Sequence, residues 1–468
     1  MRFLFRRLLL AGVGGLLTAS AASAQTPADF KTDSINIRRI YDEALLRGQS
    51  YEHLRYLCTR IGARLSGSPQ AEQAVQWGKQ TMETMGFDRV YLQEVMVPHW
   101  VRGKAEKAGI KSKKLKNVPK INLCALGGSV GTSGRPVQAG VVEVRSWDEL
   151  ARLSDAQVRG KFVFFNRPFD DKLIEPGAAY GGAVDQRGRG AIEAAKRGAV
   201  GALVRSMTSS RDDFPHTGAM RYDEQVPKVP AAALSTNAAD WLSQALKTDP
   251  GLEFSLEMDC QTLPEVKSYN VIGEIKGSKR PDEIIVVGGH LDSWDLGQGA
   301  HDDGTGCVQS MEALRLLLAS GLRPERTVRA VLFMNEENGV RGGQKYAELA
   351  KAAGEKHLAA IESDGGGFTP RGFGIEAKSA ATVARVQQWA PLLRPYHSDK
   401  IGPGHGGTDI GPLRDQATAL IGYDGDSQRY FDLHHTAADT FDKVHRRELE
   451  LGGASMAALV YLLSKYGL

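Results

Sequence analysis

The chain has 468 residues, which is long enough for two domains. Its composition, 42% hydrophobic and 24% charged, is typical of a globular protein and excludes a disordered, collagen-like or coiled-coil chain. The formal net charge is +4 and falls to +1 without the three arginines of residues 1–24, so charge gives no reason to expect nucleic acid or a membrane as a partner.

Residues 1–24 have the layout of a secretory signal peptide. Basic residues precede an apolar stretch that starts at Leu8, and Ala22-Ser23-Ala24 supplies a small-residue cleavage site. The apolar stretch is short and interrupted by glycines, which disfavours an uncleaved membrane anchor. We therefore expect a mature chain that begins near Gln25 and is secreted or periplasmic.

Residues 25–116 are predicted to form the first part of the main domain. Apolar residues recur at helical spacing over 35–47 and 69–85, and a strand-like run covers 90–97. Four widely spaced cysteines follow no metal-binding or CxxC pattern, and Cys307 lies inside a helical pattern, so we predict no disulfide.

Residues 117–267 are predicted to form a β-rich inserted domain. Short apolar runs typical of strands recur there, with one clear helical segment at 191–197. The predicted strands are 140–144, 160–166, 199–204 and 229–234.

Residues 268–468 alternate between longer strands and helices. Such alternation predicts an α/β sandwich around a largely parallel sheet, whose ligands bind at the carboxyl ends of the strands. The predicted strands are 283–288, 328–334, 358–362 and 417–422, and the predicted helices are 308–318, 343–352 and 448–466.

Four segments of this second part carry carboxylate or imidazole side chains shortly after a predicted strand. Each segment alone is unremarkable, because Asp-Asp-Gly is common in turns and a single histidine is usually just a satisfied polar group. Together they place several acids at one sheet edge, where buried carboxylates are costly unless they are paired or bind a metal. The side chains are His290, Asp292, Asp302, Asp303, Glu336, Glu337, Asp364, His434, His435 and Asp439.

Mixed histidine and carboxylate ligands suit zinc, and one carboxylate is able to bridge two ions. Two divalent cations would resolve the repulsion among the acids and activate a water for hydrolysis. The sequence has no G-x-S-x-G elbow and no H-E-x-x-H motif, which disfavours a serine hydrolase and a thermolysin-type zinc enzyme.

The combined pattern resembles the ligand set of the M28 metallopeptidases, and the resemblance covers nearly the whole mature chain. It implies a three-layer α/β/α zinc-exopeptidase sandwich with a mostly parallel mixed sheet. Segments 160–168, 190–206 and 226–235 resemble a protease-associated domain, which in that family interrupts the sandwich and shapes the neighbouring active site without doing chemistry itself.

The resemblance also implies roles for individual residues. Asp302 would bridge two zinc ions, and the peptide bond after it would be cis. Glu336 would be the general base, and Asp292 would orient the His290 ring through its second nitrogen. The remaining ligands would be His290 and Asp364 on one ion and Glu337 and His435 on the other.

Two adjacent histidines compete for the last ligand position. We assign it to His435, because the M28 pattern places an acid four residues after the ligand and Asp439 has that spacing. His434 would then be a neighbour that touches substrate or supports the ligands. His301, beside the bridging acid, is not expected to bind metal.

The expected function is that of an exported di-zinc exopeptidase that hydrolyses dipeptides or short peptides by metal-bound water, as a dipeptidase or carboxypeptidase. An M28 aminopeptidase is the main alternative, because the sequence does not tell which peptide terminus is recognised. A glutaminyl cyclase-like transferase with one zinc and an inactive binding module are further alternatives. The resemblance alone implies a homodimer.

Overall fold

The computed structural model describes residues 27–468, so the predicted signal peptide lies outside the described residues. Within this range the chain forms fifteen strands. They are β1 (Arg89–Val101), β2 (Lys107–Lys111), β3 (Leu123–Ala125), β4 (Val137–Val144), β5 (Phe162–Phe165), β6 (Gly201–Arg205), β7 (Ala231–Leu234), β8 (Glu253–Glu257), β9 (Gln261–Ile275), β10 (Arg280–His290), β11 (Arg326–Phe333), β12 (Lys356–Glu362), β13 (Pro370–Ala377), β14 (Lys400–Pro403) and β15 (Ala417–Gly425).

The same range contains fourteen α-helices, and none of them is both long enough and apolar enough to cross a membrane. They are α1 (Pro27–Arg47), α2 (Ser50–Tyr56), α3 (Pro69–Thr84), α4 (Trp147–Arg152), α5 (Asp155–Val158), α6 (Pro176–Gly181), α7 (Asp185–Lys196), α8 (Thr236–Thr248), α9 (Thr305–Ala319), α10 (Arg341–Ala352), α11 (Ala380–Gln387), α12 (Ala390–Leu393), α13 (Tyr430–Leu433) and α14 (Arg446–Tyr466).

An eight-stranded mixed sheet carries the larger part of the fold, in the order β1-β9-β11-β10-β12-β15-β13-β14. Its four central strands, β11, β10, β12 and β15, run parallel. Along β10, Ile285 and Val287 pack into the core shared with α9 and α14, whereas Ile284 and Val286 pack into the core shared with α10. Helices therefore cover both faces, which explains why the strand is a continuous apolar run.

A seven-stranded mixed sheet, in the order β2-β8-β4-β5-β6-β7-β3, forms the second part of the fold. It has separate cores on its two faces, one around Phe162 and Phe254 and the other around Val163 and Phe165. This region corresponds to the predicted insert, but its sheet begins with β2, ahead of residue 117. The first sheet resumes with β9 at Gln261, ahead of residue 268.

The helix and strand predictions were most accurate where the local signals were complete. Helix α3 begins where predicted because Pro69 occupies its first position and the Ser68 hydroxyl accepts the Ala71 N–H at 3.1 Å. Gly86, with φ +77°, lies just beyond its end. The predictions missed β9, β13 and β14, and of these β9 pairs with β1, which is far away in sequence. All four cysteines are buried and free.

Candidate metal centre

The predicted site residues follow the carboxyl ends of the four parallel central strands. His290 ends β10, Glu336 and Glu337 follow β11, and Asp364 follows β12. The two adjacent histidines lie beyond β15, after the short helix α13. Because parallel strands end at one edge of the sheet, residues that are distant in sequence meet there.

Asp302 lies between two groups of potential ligands. Its Oδ1 is 3.2 Å from Nε2 of His290, and that nitrogen is 3.6 Å from Oδ1 of Asp364. Its Oδ2 is 3.3 Å from Nε2 of His435, which in turn lies 3.2 Å from Oε2 of Glu337. Each oxygen of Asp302 thus faces a different histidine–carboxylate pair.

His434 also lies close to this centre, but its geometry differs from that of His435. Its Nε2 is 3.8 Å from Asp302, and its ring stacks on the ring of His435 with centroids 3.5 Å apart. Donor atoms of Asp302 and both histidines are close enough to share one ion. We favour His435 as the ligand because its Nε2 faces two carboxylates at 3.2–3.3 Å.

Asp292 contacts the second nitrogen of the His290 ring, and it does so through its main chain. The His290 Nδ1 lies 2.9 Å from the backbone carbonyl of Asp292, whereas the Asp292 carboxylate is 4.0 Å away. That carboxylate instead accepts the backbone N–H groups of Asn335 at 2.6 Å and Glu336 at 3.1 Å. Asp292 therefore orients His290 through its main chain and anchors the Glu336 segment through its side chain.

The acids of the centre destabilise one another's charged forms. Burial raises the pKa of Glu336 to about 7, with the charges of Asp364 and Asp302 adding to the shift. Burial, followed by the charge of Asp302, likewise raises the pKa of Glu337. Burial acts in the same direction on Asp302, but its contacts with the two histidines outweigh it and the pKa is lowered.

The nitrogen and oxygen atoms that meet at this centre are suited to bind divalent cations. Carboxylates and imidazoles converge within 3.2–3.8 Å of one another. Nitrogen and oxygen donors in this combination suit zinc.

Three buried side chains hold the turn around Asp302: two belong to the acids named in the sequence analysis, and the third, Arg64, was not predicted. Asp303 accepts the N–H groups of His290 at 3.0 Å and Gly306 at 2.9 Å. Asp439, used above only for spacing, accepts the Asp302 N–H at 3.1 Å. Arg64 donates to the carbonyls of the loop after β10. The Asp302–Asp303 peptide is cis, as the resemblance implies.

His301 points away from the centre. Its Nδ1 accepts the Gly367 N–H at 3.1 Å, its Nε2 faces the carbonyl of Lys443 at 3.3 Å, and its ring stacks on Phe368. Burial lowers its pKa to about 4. Both ring nitrogens therefore make contacts within the protein, and that His301 does not bind metal stays a prediction.

The second sheet's region contributes side chains to the centre. Its Thr217 carbonyl lies 3.3 Å from His435 Nδ1, and Arg187 NH1 lies 3.3 Å from the same nitrogen. The ring of Tyr180 packs edge-on against His434, with centroids 5.2 Å apart. None of these contacts was predicted from the sequence, because the insert lacks clustered metal-ligand residues.

Comparisons with known proteins identify a family that this chain resembles over nearly its whole length. The family model described as peptidase family M28 matches residues 270–460. Carboxypeptidase Q of Mus musculus is 34% identical over 470 residues, which cover 99% of this chain and 97% of that protein. Carboxypeptidase Q of Homo sapiens is 35% identical, over 91% of this chain and 87% of that protein.

Solved structures agree with the fold. The crystal structure of a peptidase M28 precursor from Shewanella amazonensis SB2B has a TM-score of 0.86 and 34% identity, covering 93% of this chain and 97% of that chain. A zinc aminopeptidase from Bacillus subtilis has a TM-score of 0.62, covering 89% of this chain and 95% of that chain. Its 18% identity makes it a likeness of fold alone.

Proposed function

The chain belongs to peptidase family M28 and is a metallopeptidase, and from that premise we propose that it is an exported di-zinc exopeptidase acting on dipeptides or short peptides. The observation that carries the proposal is the position of Asp302, whose two oxygens face two separate histidine–carboxylate pairs. The similarity to carboxypeptidase Q over nearly the whole chain supports a carboxypeptidase or dipeptidase.

In this proposal Asp302 would help to hold both of two zinc ions. His290 and Asp364 would complete the ligands of one ion, and Glu337 and His435 those of the other. Zinc held there would act as a Lewis acid, polarising the scissile carbonyl and lowering the pKa of water at the site.

Glu336 is proposed as the general base. It would take a proton from the attacking water and deliver it to the leaving amine. Its backbone N–H is bound by the Asp292 carboxylate, which holds the segment while the neighbouring Glu337 faces His435.

The region of the second sheet is proposed to be a protease-associated domain that shapes the active site. The contacts of Thr217, Arg187 and Tyr180 with the two histidines support this role. Export is proposed from the composition of residues 1–24, and dimerisation from the family resemblance. N-terminal sequencing of the exported protein and light scattering test these two points.

The function is tested by zinc analysis and dipeptide hydrolysis. We expect two zinc ions per chain, loss of hydrolysis after exhaustive chelation and recovery when zinc is restored. One ion per chain with no hydrolysis would favour the cyclase-like alternative. Hydrolysis that survives complete metal removal would contradict the proposal. Dipeptides blocked at either end would separate a carboxypeptidase from an aminopeptidase.

A further inference from the structure

Trp294 lies in the loop after β10, but its indole ring is buried in the region of the second sheet. The ring belongs to the core around Phe162 and Phe254, and only 3% of the residue is exposed. It packs edge-on against Trp100, with ring centroids 6.4 Å apart. A side chain from the first sheet's edge is therefore a buried part of the insert's core.

Gly127, in the insert, leaves the space that this ring occupies. A Cβ atom at that position would lie 1.8 Å from Cη2 of Trp294 and 2.2 Å from its Cζ3. The glycine is held by its backbone, since its N–H donates to the Gly218 carbonyl and its carbonyl accepts the Met220 N–H, both at 2.9 Å. A larger residue at position 127 would therefore displace the indole ring.

Trp294 also contacts two of the proposed zinc ligands. Its backbone N–H donates to Oε1 of Glu337 at 3.1 Å. Its indole ring packs edge-on against the imidazole of His435, with ring centroids 5.8 Å apart. Glu337 and His435 are the ligands that we assign to one ion, called the second ion below. Their facing atoms, Oε2 and Nε2, lie 3.2 Å apart, so Trp294 contacts both side chains away from those atoms.

The ligands proposed for the other ion are held by different contacts. His290 is oriented by the Asp292 carbonyl at 2.9 Å, and its backbone N–H is bound by Asp303 at 3.0 Å. Asp364 accepts the Tyr430 hydroxyl at 3.4 Å. None of these contacts involves the insert. The two halves of the centre therefore depend on the insert to different extents.

We propose that Trp294 is a positioning residue that couples docking of the insert to the affinity of the second ion, an inference that rests on the proposed di-zinc function. In the described part of the chain its indole Nε1 has no hydrogen-bond partner, so packing fixes the ring. The place of the ring sets the place of the N–H that binds Glu337 and of the edge that contacts His435. Outer contacts of this kind change metal affinity by about 10–100-fold.

The first test measures zinc affinity by competition with a chromogenic chelator, in the wild type and in Trp294→Leu. We expect two dissociation constants for the wild type. In the variant, the constant of the second ion should rise about 10–100-fold, whereas that of the other ion should change less than about threefold. Trp294→Phe should lie between the two, because it keeps an aromatic edge beside His435.

Trp241→Leu is the matched control. Trp241 is a partly buried residue of α8 that packs against the same core of the insert, and none of the contacts given above for the metal centre involves it. It should lower the free energy of unfolding without changing either zinc constant. His435→Ala assigns the effect to one ion, because adding Trp294→Leu to it should change the affinity of the remaining ion less than about threefold.

Gly127→Ala tests the place of the ring without changing Trp294. The added methyl group should weaken binding of the second ion about tenfold or more, because it displaces the indole. Phenylalanine lacks the Cη2 and Cζ3 atoms that the methyl group would meet. Gly127→Ala combined with Trp294→Phe should therefore bind the second ion no more weakly than Trp294→Phe alone. If Trp294→Leu does not fold, these two variants decide the question.

Unchanged zinc constants in folded Trp294→Leu or Gly127→Ala would overturn the proposal. Equal weakening of both ions would also overturn it, because the ring would then hold the whole loop. If the protein with two ions hydrolyses no dipeptide while Trp294→Leu still weakens only one ion, the proposed function fails and the positioning role stands. If hydrolysis depends on zinc but neither constant depends on Trp294, the role fails and the function stands.

Discussion

The Nδ1 atom of His435 lies 3.3 Å from the backbone carbonyl of Thr217. The region of the second sheet therefore contacts a histidine at the carboxyl edge of the first sheet. Thr217 is itself anchored, because its hydroxyl donates to the Ala125 carbonyl at 2.8 Å and lies 3.3 Å from Arg102 NH2. Arg102 in turn pairs with Asp295, in the loop after β10, at 2.6 Å.

These contacts orient the imidazole ring of His435. A proton on Nδ1 that is donated to the Thr217 carbonyl leaves Nε2 free to bind a metal, and such outer contacts tune the affinity of metal ligands. Nε2 then faces Asp302 and Glu337, as the distances above require. The insert therefore contributes to the centre through the orientation of one ring.

Glu336→Gln should retain both zinc ions while kcat falls about 10²–10⁴-fold, because the substitution removes the proposed base and leaves the ligands in place. The measurements are kcat on a dipeptide and zinc content by elemental analysis. Glu348→Gln, on an exposed position of α10, is the matched control and should behave as wild type. Near-normal turnover by the Glu336 variant, with zinc unchanged, would remove the base assignment.

His435→Ala should lose one zinc ion per chain and nearly all activity, whereas His434→Ala should keep both ions. The reason is that His435 Nε2 lies 3.2–3.3 Å from two carboxylates, while His434 Nε2 lies 3.8 Å from Asp302 alone. Zinc content of the two purified variants checks this assignment. The opposite pattern, with zinc lost only from His434→Ala, would make His434 the ligand.

Much of the centre was predictable because it depends on the ends of parallel strands. Apolar runs such as 283–288 and 358–362 identified buried strands, and acids or histidines directly after them had to meet at one edge. The choice of roles for Glu336 and His435 came from the family resemblance. Geometry supports the place of His435, while the base role remains a prediction.

Contacts made through the backbone were not predictable in the same way. Asp292 has the sequence spacing of a carboxylate that orients His290, yet its main-chain carbonyl makes that contact and its side chain binds Asn335 and Glu336. Strand β9 was missed because its pairing with β1 depends on a partner far along the chain. Arg64 was missed because a single arginine gives no sequence signal for full burial.

Arg64→Met should destabilise the protein by about 3 kcal/mol or more, since each buried carbonyl left without a donor costs about 1–3 kcal/mol. Arg64 is fully buried and donates to the carbonyls of Leu291 at 2.5 Å, Gln298 at 2.8 Å and Gly299 at 3.0 Å. Urea unfolding measures the effect, and zinc content should fall with it because this loop leads to Asp302.

The control for Arg64 is Arg60→Met, an exposed arginine of the preceding helical turn. Exposed substitutions of this kind change stability by about 0.5 kcal/mol or less. If the two variants are equally stable, the hydrogen bonds of Arg64 do not hold the loop.

Glu450→Gln should stabilise the protein at pH 8 but have little effect at pH 5. Glu450 is a buried residue of α14, where one carboxylate oxygen accepts the Tyr51 N–H at 3.0 Å and the other has no hydrogen-bond partner. Burial, together with the charge of Glu312, raises its pKa from 4.5 to about 7. Glutamine keeps the acceptor for Tyr51 and carries no charge at any pH.

The direction in which stability changes with pH follows from the difference in proton binding between the folded and unfolded states. Between about pH 4.5 and 7 the folded state holds the Glu450 proton more tightly than the unfolded state, so this residue makes wild-type stability fall as pH rises through that window. Above pH 7 the cost stays constant, at about 3 kcal/mol. Urea unfolding measures how far the free energy of unfolding falls between pH 5 and pH 8. This fall should be smaller in Glu450→Gln than in the wild type by that amount. Glu72→Gln, at an exposed position of α3, is the control and should leave the fall in the free energy of unfolding unchanged. If Glu450→Gln stabilised the protein equally at both pH values, the raised pKa of Glu450 would not be the cause.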